Sequence, residues 1–454
     1  MNYVQRIQNK WSLVIQKGYH TDIVAIVIGQ GASTLGVLIG LRLVTEVVRP
    51  EIFGEVKLIL GIITFLSGLF VTPLCQFVMR RIHDFEGQAR ALFERQSRRY
   101  LGGMLVLLGL FLALGPNVYG FARGKNYVAA SLAALIILVA GGSIDVERSI
   151  FVSLKQQVSA SVLVSLRQWL VPLAVFFVVI LLGDRVSWYL TANAAALVLT
   201  WLAVVRFLKR QNPRGETVES VSHDQLSLKA WLGDAVPYAL PLVGVGVLNW
   251  IVNLGDRYIM LAYLDFKEIG LYSACYGLGS MPMTTLGGMV TRFFYPLYFK
   301  KAAMDDSIRV DKKMVFLIGV TIFLLGGCVL LFFWFWGQQI IGLLLAESYR
   351  QGAVSLILWI GGGYLLLATA WAFDMFTYAR SKTGLRAVAF AVAAVGNIVL
   401  NLYLIPRQGI MGAAWATFFT FVLYFVVMAT FYIRWLKRGS LSGLRGEIGS
   451  WKRG

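Results

Sequence analysis

The 454-residue chain is poor in charged residues, which make up 14% of it, whereas soluble domains carry about 25%. Hydrophobic residues make up 58% of the chain, and its mean hydropathy is +0.69. A globule of this composition would expose large apolar patches to water. A soluble enzyme, a nucleic-acid-binding protein and a disordered scaffold are therefore excluded, despite a net charge of +19. The composition predicts a polytopic helical membrane protein.

Cysteine and histidine are also scarce, with three of each. The cysteines lie inside apolar runs and form no CxxC pair, which argues against a disulfide framework and a zinc site. The histidines stand far apart in polar segments, which argues against a histidine-based metal or acid–base centre. We therefore expect no resident cofactor. Residues 1–20 contain no apolar core, so no cleavable signal peptide is expected there.

Long apolar runs dominate the rest of the chain. A bilayer core of about 30 Å needs about 20 apolar residues per helix. On that basis the sequence predicts an all-α protein of about twelve transmembrane helices, at 23–44, 55–79, 100–121, 126–145, 160–183, 186–208, 236–256, 270–298, 314–336, 353–379, 385–405 and 409–434.

Basic residues fix the predicted orientation. With both termini in the cytoplasm, the inner segments hold most of the 42 lysines and arginines, as the positive-inside rule requires. We expect a multi-pass membrane protein with both termini in the cytoplasm. No predicted outer loop exceeds about twenty residues, which leaves no room for a catalytic domain outside the membrane. Residues 1–20 and 80–99 place apolar residues at helical spacing among basic ones. Both are interpreted as helices on an anionic leaflet, with solvated linkers as the alternative.

The longest inner segment divides the chain into two halves. We predict an N-lobe at 1–208, a cytoplasmic linker at 209–232 and a C-lobe at 233–454. The halves match locally, because Pro50–Gly54 joins spans one and two and Phe266–Gly270 joins spans seven and eight. Six helices per half give a parallel repeat, with a pseudo-two-fold axis along the membrane normal and a site between the lobes.

Three motifs resemble the bacterial polysaccharide flippases of the multidrug/oligosaccharidyl-lipid/polysaccharide exporter superfamily. The first, at Thr45–Gly54, is similar to the P-x-x-(Y/F)-G turn after helix one. The second, at Asp256–Met260 with Glu268–Ser273, is similar to the DR and vGxYs patterns after helix seven. The third, at Asn397–Asn401 with Ile405–Ala414, is similar to the N-x-x-x-N and ip-x-x-G-x-x-G-A-A pattern between helices eleven and twelve. Lys57 departs from the small or hydroxyl residue expected near its position.

The resemblance implies a MATE-like fold of two six-helix lobes that works by alternating access. It implies a flippase, not an enzyme, that moves a polyprenyl-diphosphate-linked oligosaccharide to the outer leaflet for O-antigen, lipopolysaccharide or exopolysaccharide synthesis. Membrane lipids, a polysaccharide polymerase and glycosyltransferases are the implied partners, and no nucleic acid is implied. H⁺ and Na⁺ are the candidate coupling ions.

A diphosphate cargo calls for cations inside the membrane, where each central Arg or Lys costs about 2.5–3.5 kcal/mol on insertion scales. Arginine suits the task because its planar fork binds phosphate oxygens in pairs. For each candidate an ion pair or snorkelling to the interface is the alternative. The candidate cavity cations are Arg42, Lys57, Arg167, Arg257 and Arg292.

Two kinds of uncharged or acidic residue complete the candidate site. Asn249 and Asn253 are four residues apart on span seven and suit sugar hydroxyls, with hydrogen bonds between helices as the alternative. Asp374, interpreted as the only acid well within a span, and Asp256 are the candidates for ion coupling. The alternative for Asp374 is an ion pair with a nearby arginine, such as Arg380.

Two other functions compete with the flippase. A multidrug cation exporter of the same fold should have an acidic cavity, whereas the predicted intramembrane charges are mostly basic. A membrane polysaccharide polymerase or ligase would need catalytic residues on a large outer loop. The chain has no P-loop or GxGxxG motif to drive an ATP-powered pump.

Overall fold

A computed structural model describes residues 19–122, 128–211, 228–304 and 308–451, and the described backbone is almost entirely helical. Proline begins one helix, and the described connections between the others contain glycine or charged residues, as expected for long apolar helices joined by short turns. The helices are α1 Tyr19–Val47, α2 Pro50–Asp84, α3 Gly87–Ala122, α4 Val128–Ser153, α5 Gln157–Leu182, α6 Val186–Gln211, α7 Leu228–Met260, α8 Phe266–Met304, α9 Ile308–Leu344, α10 Ala353–Ala379 and α11 Thr383–Trp451.

The all-helical, polytopic fold class is confirmed. Within the described residues, nine of these helices are long and apolar enough to cross a bilayer. α3 and α8 are not among the nine, although both are helical throughout the predicted spans three and eight. α11 counts once, yet Gly409 breaks it with φ of 56° and ψ of −137°. That break falls at the predicted boundary between spans eleven and twelve.

The chain divides into two compact units, Met1–Val247 and Leu248–Gly454. The first contains α1 to α6 and the amino-terminal part of α7, and the second contains the rest of α7 and α8 to α11. The predicted lobe limits stay a prediction. Residues 1–18 of the predicted interfacial segment and residues 212–227 of the predicted linker lie outside the described residues.

The two matching segments of the predicted repeat both begin a helix. α2 starts at Pro50, where the missing N–H of proline costs nothing in the first turn. The preceding Arg49 donates from its backbone N and its Nε to Asp184 Oδ2, at 3.0 and 2.9 Å. α8 starts at Phe266, and the backbone N of Glu268 donates to the Asp265 carboxylate at 2.8 Å. A proline at the first position and an aspartate cap at the second therefore each favour the start of a helix.

The interpretation of residues 80–99 as an interfacial helix is corrected by the first unit. Ile82, Leu92 and Phe93 are buried in protein, and the rings of Phe85 and Phe93 stack with centroids 4.8 Å apart. The apolar side of this segment therefore packs inside the unit, and so it is not available to insert into a leaflet.

The second unit has a hydrophobic core near one end of α8, α9 and α10. Buried residues from all three helices meet there, together with Tyr432 of α11. Around this core the polar side chains of the unit are tied together by ion pairs and tyrosine hydroxyls. This arrangement fixes where charged groups lie in a bundle that is otherwise apolar.

Candidate functional site

Asp256 and Arg257 form a buried ion pair at the carboxyl end of α7. Their side chains are 1% and 6% exposed, and Arg257 Nη1 lies 3.0 Å from Asp256 Oδ1. The backbone N–H of Arg257 donates to the same oxygen at 2.8 Å. One oxygen of the Asp256 carboxylate therefore accepts from both the main chain and the side chain of Arg257.

Two residues of α8 make hydrogen bonds with the remaining polar atoms of this pair. Tyr272 donates its hydroxyl hydrogen to Asp256 Oδ2 at 2.5 Å, and Arg257 Nε donates to Ser273 Oγ at 3.2 Å. Each bond joins residues sixteen positions apart. The Asp-Arg and Tyr-Ser dipeptides of the second motif therefore recognise each other directly. A buried charge pair is stable only when such extra hydrogen bonds satisfy it.

Aromatic rings and an asparagine extend this cluster into α10. The Arg257 guanidinium lies over the Tyr276 ring, 4.3 Å from its centroid, a distance at which a cation is attracted to the ring face. The hydroxyls of Tyr276 and Tyr364 are 2.6 Å apart, and Tyr364 donates to Asn253 Oδ1 at 2.5 Å. The Tyr272 hydroxyl also lies 3.2 Å from Thr417 Oγ1 of α11. We call these residues the Asp256 cluster: Asn253, Asp256, Arg257, Tyr272, Ser273, Tyr276, Tyr364 and Thr417.

The predicted asparagine stripe on α7 is thus divided between two roles. Asn253 Nδ2 donates to the backbone oxygen of Asn249 at 2.7 Å and to Asn249 Oδ1 at 3.1 Å. Asn249 is exposed, whereas Asn253 is half-buried. Asn249 is therefore the member of the pair that presents polar atoms at the surface.

Asp374 lies in a second charged cluster, formed by α10 and α11. It is 3% exposed and pairs with Arg386 at 3.0 Å, and not with Arg380. Tyr424 donates to its other oxygen at 2.7 Å, and Arg386 Nη1 donates to the Tyr378 hydroxyl at 2.6 Å. Of the two predicted roles, this geometry provides the ion pair.

Arg380 belongs to a third cluster, beside the hydrophobic core formed by α8, α9 and α10. It pairs with the fully buried Asp311 at 3.1 Å. Tyr298 donates to Asp311 at 2.6 Å, and Trp435 Nε1 donates to it at 3.3 Å. The buried Asp311 thus joins α8, α9, α10 and α11. Sequence reasoning missed this role because Asp311 stands beside Lys312 and Lys313, outside the predicted span.

The three candidate cations of the first unit differ in how completely they are neutralised. Arg42 Nη2 pairs with Glu46 at 2.8 Å, but its buried Nη1 has no hydrogen-bond partner within the described residues. Lys57 lies over the Phe53 ring, 4.7 Å from its centroid. Arg167 of α5 faces Asp145 of α4 at 3.6 Å.

Asp145 corrects the prediction that Asp374 is the only acid well within a span. Its position at the last residue of predicted span four was the available signal. Glu147, two residues after Asp145, is buried and accepts a hydrogen bond from Arg98 of α3 at 2.6 Å. Glu55 of α2 is half-buried and has no ion pair within the described part of the chain. These carboxylates were missed because an acid near a span end reads equally well as part of a loop.

Arg292 is the candidate that the structure leaves most open. It lies well inside α8 and its side chain is exposed. No hydrogen bond or ion pair joins it to another described residue. Of the nine predicted site residues, the structure joins Asn249, Asn253, Asp256 and Arg257 by direct contacts. It places Arg42, Lys57, Arg167, Arg292 and Asp374 at separate positions.

Long apolar helices with buried, compensated charges define the class of this molecule as a polytopic α-helical membrane protein. Solved structures with the same fold cover nearly all of it. A lipid II flippase, MurJ, in an inward closed conformation, superposes with a TM-score of 0.68 at 11% identity, covering 93% of this chain and 91% of that one. A multidrug resistance MATE family transporter of the MOP superfamily, in an inward-facing conformation, gives 0.62 at 13% identity, covering 92% and 99%.

A third similar structure is a MOP superfamily transporter from Pyrococcus furiosus, with a TM-score of 0.54 at 14% identity, covering 92% of this chain and 94% of that one. No curated protein matches the sequence. The family model described as "Polysaccharide biosynthesis protein" matches residues 20–302. The chain belongs to this polysaccharide biosynthesis protein family, and it has the fold of the MOP superfamily.

Proposed function

We propose that this protein is a flippase that carries a polyprenyl-diphosphate-linked oligosaccharide from the inner to the outer leaflet of a bacterial cytoplasmic membrane. It would do so by alternating access and supply a pathway of cell-surface polysaccharide synthesis, such as that of O-antigen or exopolysaccharide. Membership of the polysaccharide biosynthesis family supports the pathway. The fold shared with a lipid II flippase supports the mode of action.

The sign of the uncompensated charge supports an anionic cargo. Asp145, Asp256, Asp311 and Asp374 each pair with an arginine. Arg292, by contrast, is exposed on α8 without a partner in the described residues. A charge held inside a membrane helix persists where water, a partner or a ligand compensates it. The unpaired guanidinium of Arg292 is the observation that carries the proposal.

The diphosphate and the sugars would use different groups. The fork of Arg292 and the free Nη1 of Arg42 offer charge-assisted hydrogen bonds to phosphate oxygens. The exposed amide of Asn249 offers a donor and an acceptor to sugar hydroxyls. Lys57 and Arg167 remain candidate cations for the cargo. Arg257 is held in the Asp256 cluster, so it would contact the cargo only if its bonds within that cluster were broken.

Coupling to an ion gradient is a further part of the proposal. Asp374 and Asp256 remain the coupling candidates, with H⁺ or Na⁺ as the ion. Both carboxylates bind arginine and tyrosine, so an ion would have to displace these partners to bind. Glu55, which lacks an ion pair within the described residues, is a third carboxylate to test.

A multidrug exporter is the alternative that the same fold allows. The similar MATE structures keep it open, because one of them is a multidrug resistance transporter. Cationic drugs require an accessible acid. The pairing of Asp145, Asp256, Asp311 and Asp374 with arginines disfavours this function, whereas the half-buried Glu55, without an ion pair among the described residues, is the acid that would serve it. For the Pyrococcus furiosus transporter, reverse polarity of the binding pocket likewise suggests a different function.

Reconstitution distinguishes the two functions directly. Proteoliposomes would be loaded with a polyprenyl-diphosphate oligosaccharide in one leaflet, and its arrival in the other leaflet would be followed by accessibility to a sugar-cleaving enzyme. The same vesicles would be tested for uptake of a cationic dye. We expect protein-dependent transfer of the saccharide and no dye uptake. Dye uptake without saccharide transfer would overturn the proposal.

A further inference from the structure

A large groove runs along the surface of the second unit between α9, α10 and α11. It encloses about 860 Å³, within the range of about 300–1,000 Å³ usual for ligand sites. Its walls carry aromatic rings from all three helices, namely Phe316, Phe373, Phe425 and Tyr432. The groove is therefore shaped and lined for a hydrocarbon chain.

Small residues make the groove possible. Gly319 of α9 faces Ala372 and Thr369 of α10, and a Cβ placed on Gly319 would lie 3.7 and 3.9 Å from their side chains. The Thr369 hydroxyl donates to the backbone oxygen of Leu365 at 2.7 Å. Its polar atom is thus satisfied within its own helix, and its methyl group faces Gly319. The floor of the groove is apolar as a result.

Two lysines stand at one end of the groove. Lys312 and Lys313 line it, and both are exposed. No ion pair joins either of them to a described residue, because the neighbouring Asp311 is committed to Arg380. Lys312 lies four and seven residues before Phe316 and Gly319, so helical spacing places its charge above the same stripe of α9.

The surface around the groove is apolar. α9 exposes apolar side chains along its length, with Phe316, Phe323, Leu324, Phe332 and Trp334 each about half exposed or more. An exposed apolar helix face of this extent is stable only in a hydrocarbon environment. The lysines precede predicted span nine, whose start is predicted to lie at the inner interface, where lysine and arginine meet anionic headgroups.

We propose that this groove is a binding site for one anionic phospholipid of the surrounding membrane. The phosphate headgroup binds Lys312 and Lys313, and an acyl chain lies in the groove over Gly319, between Phe316 and Phe373. The proposal concerns a membrane lipid and not the transported saccharide. It therefore stands or falls independently of the proposed flippase function.

Native mass spectrometry of the purified full chain tests the headgroup contact. The probes are phosphatidylglycerol and phosphatidylcholine with identical acyl chains. We expect the wild type to prefer phosphatidylglycerol, and K312Q/K313Q to lose about 30-fold in affinity for it, at about fivefold per lysine. The control K229Q/K300Q removes two exposed lysines outside the groove and should keep the preference. An unchanged preference in K312Q/K313Q would overturn the proposal.

A second variant tests the acyl chain. G319L adds a side chain to the floor without a backbone conflict, since its Cβ would make ordinary contacts. It should weaken binding of both lipids severalfold while leaving their ratio unchanged. If G319L bound each lipid with the same affinity as the wild type, the groove would not be the binding site. Displacement of phosphatidylglycerol by equimolar polyprenyl phosphate would assign the groove to the cargo lipid, and would also overturn the proposal.

Discussion

The Tyr272 hydroxyl lies 2.5 Å from Asp256 Oδ2 and links α8 to the end of α7. The next residue on each helix makes a second bond between them, in which Arg257 donates to Ser273. Two short motifs that stand apart in the sequence are therefore the two halves of one contact. Their first role is to hold α7 and α8 together.

Removing the Tyr272 hydroxyl should destabilise the second unit. Tyr272→Phe keeps the ring but leaves a buried carboxylate oxygen without its donor, which costs about 1–3 kcal/mol. We expect a lower midpoint in thermal unfolding of the detergent-purified protein. Tyr263→Phe is the matched control, because Tyr263 is exposed and should leave the midpoint unchanged. Equal midpoints for the two variants would show that the hydrogen bond contributes no stability.

Arg257 should matter for folding before it matters for transport. Arg257→Ala leaves Asp256 buried without its cation, and breaking such a pair costs about 3–5 kcal/mol. Arg257→Lys should recover little, since a single ammonium cannot reach Asp256, Ser273 and the Asn253 carbonyl oxygen together. The yield of monodisperse protein in size-exclusion chromatography is the measurement. A well-folded Arg257→Ala variant that has lost only transport would instead support the predicted cavity role.

Asp374 and Arg386 should be energetically coupled. Asp374→Asn or Arg386→Gln alone leaves the other group charged and unpaired, with Asp374 only 3% exposed. The double variant removes both charges, so its loss of unfolding free energy should be smaller than the sum of the losses in the two single variants. Chemical or thermal unfolding of the four proteins gives the coupling free energy. Strict additivity would mean that the ion pair is not a stabilising interaction.

The sequence was sufficient to predict where the helices lie, but not which side chains on different helices contact each other. Each of the nine described helices that are long and apolar enough to cross a bilayer coincides with at least one predicted span, because an apolar run of about twenty residues is stable in a bilayer as a helix. The same reasoning misassigned residues 80–99, where helical spacing cannot tell a lipid-facing surface from a protein-facing one. Ile82 is fully buried in the first unit.

Charge pairing was the least predictable property of the site. Arg380 is six residues from Asp374 in sequence, yet it pairs with Asp311, sixty-nine residues away. Asp374 pairs with Arg386 from the following helix. An arginine side chain reaches whichever carboxylate the packing of helices brings near it, and that packing depends on contacts spread over several helices. The motifs identified Asp256 and Arg257, but not Tyr276, whose ring lies beneath the Arg257 guanidinium, or Tyr364, which donates to Asn253.

Gly409 should be intolerant of any side chain. Its φ of 56° and ψ of −137° lie in a region that is nearly restricted to glycine, at a cost of about 1–3 kcal/mol for other residues. Gly409→Ala should lower the unfolding midpoint, whereas Gly384→Ala should not, since a Cβ there meets nothing within 4 Å. The same midpoint for both variants would mean that the break at residue 409 is not fixed by the backbone.

Transfer of a polyprenyl-diphosphate oligosaccharide by Arg292→Ala proteoliposomes is the most direct test of the flippase account. The variant should fold normally, because Arg292 makes no hydrogen bond or ion pair with a described residue. Its transfer rate should fall about 10- to 100-fold, as expected for losing a charged hydrogen bond of about 1.5–3 kcal/mol. Arg292→Lys should recover part of the rate, and Arg206→Ala, which removes another exposed arginine, should transfer at the wild-type rate. Wild-type transfer by folded Arg292→Ala would contradict the role assigned to this cation.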